Sequence, residues 1–401
     1  MTSRAIVALG IGQCVNWGVL YYAFAVLVLP LQRELGVPTW VVTGAFSLAL
    51  LMSAALAPTV GRWGDRDRGA IVMQAGGFGA AALLVAWTLL PGVPSLYIVW
   101  AGLGLCMAAT LYEPVFVIVG RAHDDPAQSL RALAAVTLFG GLASTLFLPG
   151  TAYVVAAAGW RGAVLALAAL LVASTFATRR FVFGHLRAAA PRSPSDHLTP
   201  ALTGGGANPA GFAFIATMFA LASLASAAFT TNLVPALGER GISPTSAAML
   251  GGLIGVMQLP GRALLMNGAL KGSPPRLLAG SLLLQAAGLG GVAVASSMVV
   301  VAVGTMVFAV GAGLTTLARP HLVQTMFAAR TGGHLNGRIA RQQQIARAAG
   351  PFAAAWLASR IGYPTVFVAM AGTFAVIALA APGFLGRSEV IDTQKEQVNQ
   401  T

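Results

Sequence analysis

Apolar residues run along this chain in long blocks, each broken by a few glycines, prolines or arginines. Many blocks reach the roughly 20 residues needed to cross a hydrocarbon core about 30 Å thick. No water is present there to satisfy backbone groups, so each block must be helical. The pattern predicts spans at 5–31, 40–60, 69–90, 96–120, 132–158 and 162–178, then 210–237, 245–268, 276–297, 298–328, 339–361 and 364–386. Between the two sets lies a stretch containing Pro191, Ser193, Pro194 and Gly204-Gly205-Gly206, which suits a linker.

The two sets echo each other. Phe24, Pro30, Glu34 and Gly36 recur as Phe229, Pro235, Glu239 and Gly241, an offset of 205 residues (229 − 24). Thr110-Leu111-Tyr112-Glu113-Pro114 in the fourth span is echoed by Thr316-Leu317-Ala318-Arg319-Pro320 in the tenth. A six-helix unit duplicated with its orientation kept gives an all-α membrane protein with twelve transmembrane helices in two parallel six-helix repeats around a central cavity. Parallel repeats put the substrate site near mid-membrane, at their interface. The expected division is an N-terminal bundle at 1–178, a cytoplasmic linker at 179–209, a C-terminal bundle at 210–386 and a cytoplasmic tail at 387–401.

Composition agrees: 57% of residues are hydrophobic and 9% charged, too little charge to cover a soluble protein of 401 residues. The net charge of +13 first suggests nucleic acid, but its distribution excludes that partner. Arg62, Arg66 and Arg68, then Arg121 and Arg131, Arg179, Arg180, Arg187 and Arg192, Lys271 and Arg276, and Arg330, Arg338 and Arg341 cluster in alternate loops. The intervening loops carry only Arg33, Arg161, Arg240 and Arg360. This asymmetry places both termini in the cytoplasm of a bacterial inner membrane, with the lipid bilayer as the surrounding partner. The first block is too long for a signal peptide and reads as the first span. Cys14 and Cys106 both lie in apolar blocks and read as packing residues.

The loop after the second span reads Gly61-Arg62-Trp63-Gly64-Asp65-Arg66-Asp67-Arg68-Gly69. With the repeat, it resembles the signature Gly-x-x-x-Asp-Arg-x-Gly-Arg-Arg of the major facilitator superfamily. Gly61, Asp65 and Arg66 match, while Arg68 and Gly69 stand in reversed order. The resemblance covers essentially the whole chain. It implies that the first, fourth, seventh and tenth helices line the cavity and that Gly61, Asp65 and Arg66 form a cytoplasmic latch. The alternative is a basic loop that merely sets topology.

An ionised residue at mid-helix costs about 2.5–3.5 kcal/mol on insertion scales, so the few inside the spans are candidates. They are Glu113, Arg262, Arg319 and Arg347. Glu113 and Arg319 stand at repeat-related points, each before a proline, and are expected to pair when the cytoplasmic side closes. Protonating Glu113 would weaken that pair and couple transport to protons; the alternative is a static ion pair. Arg347, the deepest arginine of a polar stretch with Arg338, Arg341 and Gln342-Gln343-Gln344, is a gate or cavity residue, or else a solvated helix end. Gln258 and Arg262 share a helix face and resemble the eighth-helix substrate arginine of monocarboxylate and related organic-anion carriers. There an acid stands four positions earlier and a proline follows; here Gln258 and Ala263 take those places, and the alternative is an arginine that snorkels to the cytoplasmic boundary as a topology anchor. Gln13, Asn16, Leu20 and Phe24 share a face of the first span with Tyr21 beside it, making Gln13, Asn16 and Tyr21 candidate substrate contacts; the alternative is polar residues that hold helices together. Thr230, Thr231 and Asn232 occupy a comparable level of the seventh.

No Walker loop and no histidine spacing for zinc is present, so no enzyme, metal or cofactor is expected. Several arginines against one carboxylate favour anions. The expected function is a proton-coupled secondary carrier of small organic anions such as monocarboxylates, acting as a monomer. The alternatives are efflux of amphipathic drugs, whose fifth-helix Gly-x-x-x-Gly-Pro-x-x-Gly-Gly signature the chain lacks, and a transport-inactive membrane sensor.

Overall fold

The computed structural model describes residues 3–65, 68–90, 92–122, 126–183, 209–266, 274–326 and 329–398. They form twelve rods. The first six are α1 (Ser3–Leu35), α2 (Thr39–Asp65), α3 (Gly69–Leu89), α4 (Val93–Thr110 and Tyr112–Arg121), α5 (126–158) and α6 (160–183). The second six are α7 (Pro209–Glu239), α8 (Pro244–Met266), α9 (Pro274–Val294), α10 (Met298–Met326), α11 (Ala329–Ile361) and α12 (Tyr363–Val398). Among the described residues nine stretches are long and apolar enough to cross a membrane; one of them, Ala132–Val182, is two spans joined at Gly159. α8 and α11 complete the set, and α11 misses the apolar threshold because its first half carries the Arg338–Arg347 polar run. Helix runs past the expected ends, to Phe183 in α6 and to Val398 in α12.

The repeat is visible in the turns and in the ring packing. Gly36 ends α1 at φ 64° and Gly241 follows α7 at φ 76°, both left-handed positions that a side chain would strain. Gly159 (φ 69°) turns α5 into α6, and Gly362 (φ 77°) turns α11 into α12. Phe24 stacks on Phe46 at 4.6 Å and meets Trp100 edge-on at 4.5 Å. Its counterpart Phe229 packs on Phe308 at 4.5 Å and Phe367 at 5.4 Å. Each half thus has its own aromatic core.

Three of the four sparse arginines are held by the fold. Arg161 forks onto Glu34 at 2.6 and 2.8 Å, and Trp160 donates to the same carboxylate, fastening α6 to α1. Arg360 lies 3.7 Å over the Trp356 ring. Arg240 donates to the carbonyls of Val292 and Ala293, both at 2.9 Å, in the last turn of α9. Those carbonyls have no partner within their own helix, and the negative end of the helix dipole favours a cation. Arg240→Ala is expected to cost about 1–2 kcal/mol. Amide exchange should accelerate in the last turn of α9, with Arg240→Lys restoring only part because an ammonium lacks the fork.

The halves meet where small residues let backbones approach. Thr145 of α5 donates its hydroxyl to the Gly252 carbonyl of α8 at 2.8 Å, and Gly255 lies against Gly141 and Ser144. On the other seam the Phe352 amide of α11 donates to Ser47 Oγ of α2 at 3.1 Å, beside Trp40 and Gly44. α1 touches α7 where Leu29 covers Gly238. Ala25, Val26, Leu148 and Ala152 from the first half belong to the buried core of the second. These contacts lie toward the α1–α2 and α7–α8 turns, so the molecule is sealed at the end opposite Ser3. A groove of about 820 Å³ remains outside that seal, walled by both repeat-related turns.

Candidate functional site

Pro114 has no N–H, so the Thr110 carbonyl four residues earlier loses its helical partner. The chain breaks there: Leu111 takes an extended ψ of −156°, and α4 splits into its two segments. The freed carbonyl accepts instead from Gln13 Nε2 at 2.8 Å and Asn16 Nδ2 at 3.1 Å. Both α1 side chains are buried, so two of the expected substrate contacts tie α1 to α4. Asn16 also borders a cavity of about 10 Å³ with Gln74, Ser174 and Thr178.

One turn further on, α1 itself widens. Residues Gly18–Tyr22 form a π turn, with the Phe147 ring of α5 packed so closely on Gly18 that a Cβ would collide with it. The wide turn presents a group of rings. Trp17 lies 5.3 Å from Tyr21 and 4.9 Å from Tyr112, which follows the break in α4; Tyr22 lies 5.1 Å from Tyr21. Tyr22 packs against the cores of both halves and therefore stands between them. Tyr21 is buried, in one apolar core with Ala348 of α11, the residue after Arg347. Arg347 is partly exposed and forms no ion pair among the described residues.

Of the predicted residues, Tyr21 of α1 thus lies in the same core as Ala348, next to Arg347 of α11, while Thr230 donates its hydroxyl within α7, to the Ser226 and Ala227 carbonyls. Asn232 is engaged elsewhere: fully buried, it donates to the Pro351 carbonyl at 3.2 Å and accepts from Tyr363 at 3.0 Å, joining α7 to α11 and α12. Gln258 lies on α8 with its backbone against Gly313 of α10. Gly61 lies within the last turns of α2. Arg66 and the side chains of Asp65, Glu113, Arg262 and Arg319 lie outside the described residues. Trp17, Tyr22 and Tyr112 were not singled out from sequence. Their signal was available: aromatic anchors of membrane helices gather at the interfaces, yet Trp17 sits near the middle of the 33-residue α1.

No family model matches the sequence, and no curated protein matches it. Solved structures do match in fold. The peptide transporter POT in complex with sulfate is 14% identical, with a TM-score of 0.75 over 96% of this chain and 95% of that one. The nucleoside transporter NupG is 12% identical, with a TM-score of 0.72 over 95% and 99% of the two chains. A bacterial homologue of the human lysosomal transporter Spinster, in an inward-facing and occupied conformation, is 14% identical, with a TM-score of 0.70 over 96% of each chain. The chain has the fold of these membrane transporters, the one the superfamily resemblance implied.

Proposed function

We propose that the chain is a secondary active transporter working by alternating access, a proton-coupled carrier of small organic anions such as monocarboxylates. The observation that carries this reading is Arg347, a guanidinium without an ion-pair partner among the described residues, next to Ala348 on α11, which is buried in the core of the first half where the halves meet. An unneutralised cation in a low-dielectric path attracts anions and repels cations. With the termini cytoplasmic, as the charge asymmetry predicts, a form sealed at the other end faces inward. Arg262 and Gln258 on α8 and Arg319 on α10 supply further anion contacts, and the Gly61–Asp65–Arg66 corner latches the cytoplasmic side.

Proton coupling is assigned to Glu113. It lies between the break at Leu111 and Pro114, and its protonation releases Arg319. The test is uptake of labelled acids by proteoliposomes under an imposed pH gradient. Arg347→Gln is expected to lower uptake at least about tenfold, the loss of one charge-assisted contact of roughly 1.5–3 kcal/mol. Glu113→Gln is expected to abolish acceleration by the gradient while leaving exchange of one acid for another intact. Uptake unchanged in Arg347→Gln would overturn the anion reading, and gradient-driven uptake unchanged in Glu113→Gln would overturn the proton role.

A further inference from the structure

We infer that the anion taken by this site carries a flat aromatic body, stacked among Trp17, Tyr21, Tyr22 and Tyr112 with its carboxylate toward Arg347. The inference rests on the anion reading above and narrows it to aromatic carboxylates. Three of the four rings, Trp17, Tyr22 and Tyr112, remain partly exposed although they lie deep in the bundle. Their centroid spacings of 4.9 Å (Trp17 to Tyr112), 5.3 Å (Trp17 to Tyr21) and 5.1 Å (Tyr21 to Tyr22) describe a continuous aromatic wall. The planes are tilted by 45° to 73°, so faces and edges are both on offer to a planar guest.

Two donors border this wall. Arg347 precedes Ala348, which shares a buried core with Tyr21, and Trp17 Nε1 is buried with no hydrogen-bond partner among the described residues. A buried indole N–H without an acceptor is costly, and it only donates. A guest that brings acceptor oxygens on a planar ring satisfies this donor and the guanidinium while stacking on the tyrosines. A small aliphatic acid answers the charge and leaves the rings uncovered. Gly18 and Gly140 permit the arrangement: a Cβ at Gly18 would strike Phe147, and one at Gly140 would strike the Tyr112 hydroxyl, so the ring group keeps its position only with glycine there.

The full chain, purified in detergent, is titrated with benzoate, lactate and benzamide, and dissociation constants are taken from the concentration dependence of the thermal midpoint. Benzoate is expected to bind at least about tenfold more tightly than lactate, since aromatic contacts add to area burial. Benzamide, flat but uncharged, is expected to bind at least about tenfold more weakly than benzoate. Trp17→Ala should remove the preference for benzoate over lactate, while Trp17→Phe retains most of it; the parent titrations decide even if Trp17→Ala does not fold. Equal binding of benzoate and lactate by the parent overturns the aromatic inference and leaves the anion reading standing. Benzamide binding as tightly as benzoate, with neither acid weakened by Arg347→Gln, overturns both.

Discussion

Changing Gln13 and Asn16 together to Leu is expected to destabilise the protein by about 3 kcal/mol, because the Thr110 carbonyl would remain buried without a donor. Both amides now answer that carbonyl, at 2.8 and 3.1 Å. The readout is resistance to unfolding in detergent. The origin of the orphan carbonyl supplies a control: Pro114→Ala returns an N–H four residues on, and a helix continuous through Leu111 then serves Thr110 itself. The double Leu change should cost much less in a Pro114→Ala background. A cost that is the same in both backgrounds would show that the α1–α4 bonds do not compensate for the proline.

The second large effect concerns the seal. Ser47 of α2 and Gly252 of α8 are related by the repeat offset (252 − 47 = 205), as are Thr145 of α5 and Gly350 of α11 (350 − 145 = 205). The two bonds between halves among the described residues, Thr145 to the Gly252 carbonyl and the Phe352 amide to Ser47, thus join repeat-related helix pairs, α5 to α8 and α11 to α2. Each contributes about 1 kcal/mol net. Removing both with Ser47→Ala and Thr145→Val should shift the balance toward opening at that end by roughly 30-fold, since about 1.4 kcal/mol is a factor of ten. Spin labels on cysteines introduced at Arg33 and Ser243, both exposed beside the outer groove, report it: a longer-distance population should grow. An unchanged distance distribution in the double variant would rule out these bonds as the clamp.

The rods were legible because lipid leaves the backbone no choice but helix, so apolar length alone marks the spans. The repeat was legible because Phe24, Pro30 and Gly36 do the same local work as Phe229, Pro235 and Gly241. The site was legible only in part. Placing Gln13, Asn16, Leu20 and Phe24 on one face assumes 3.6 residues per turn throughout. The π turn at Gly18–Tyr22 inserts an extra residue, which rotates the two ends of α1 relative to each other by about 100°. Pro114 announced a break in α4, but which donors would answer the freed carbonyl depends on a helix 94 and 97 residues away in the chain. The burial of Ala348, beside Arg347, in the core that holds Tyr21 depends on packing across the two halves, which no local pattern encodes.

The seal also has a thermal side. Ala25, Val26, Leu148 and Ala152 of the first half are buried in the core of the second, and Ala348 of the second in the core of the first. Opening that end wets these surfaces, so the opening equilibrium carries a heat-capacity change of the kind that accompanies apolar hydration. Apolar burial weakens on cooling, so the outer end parts more readily in the cold than near room temperature.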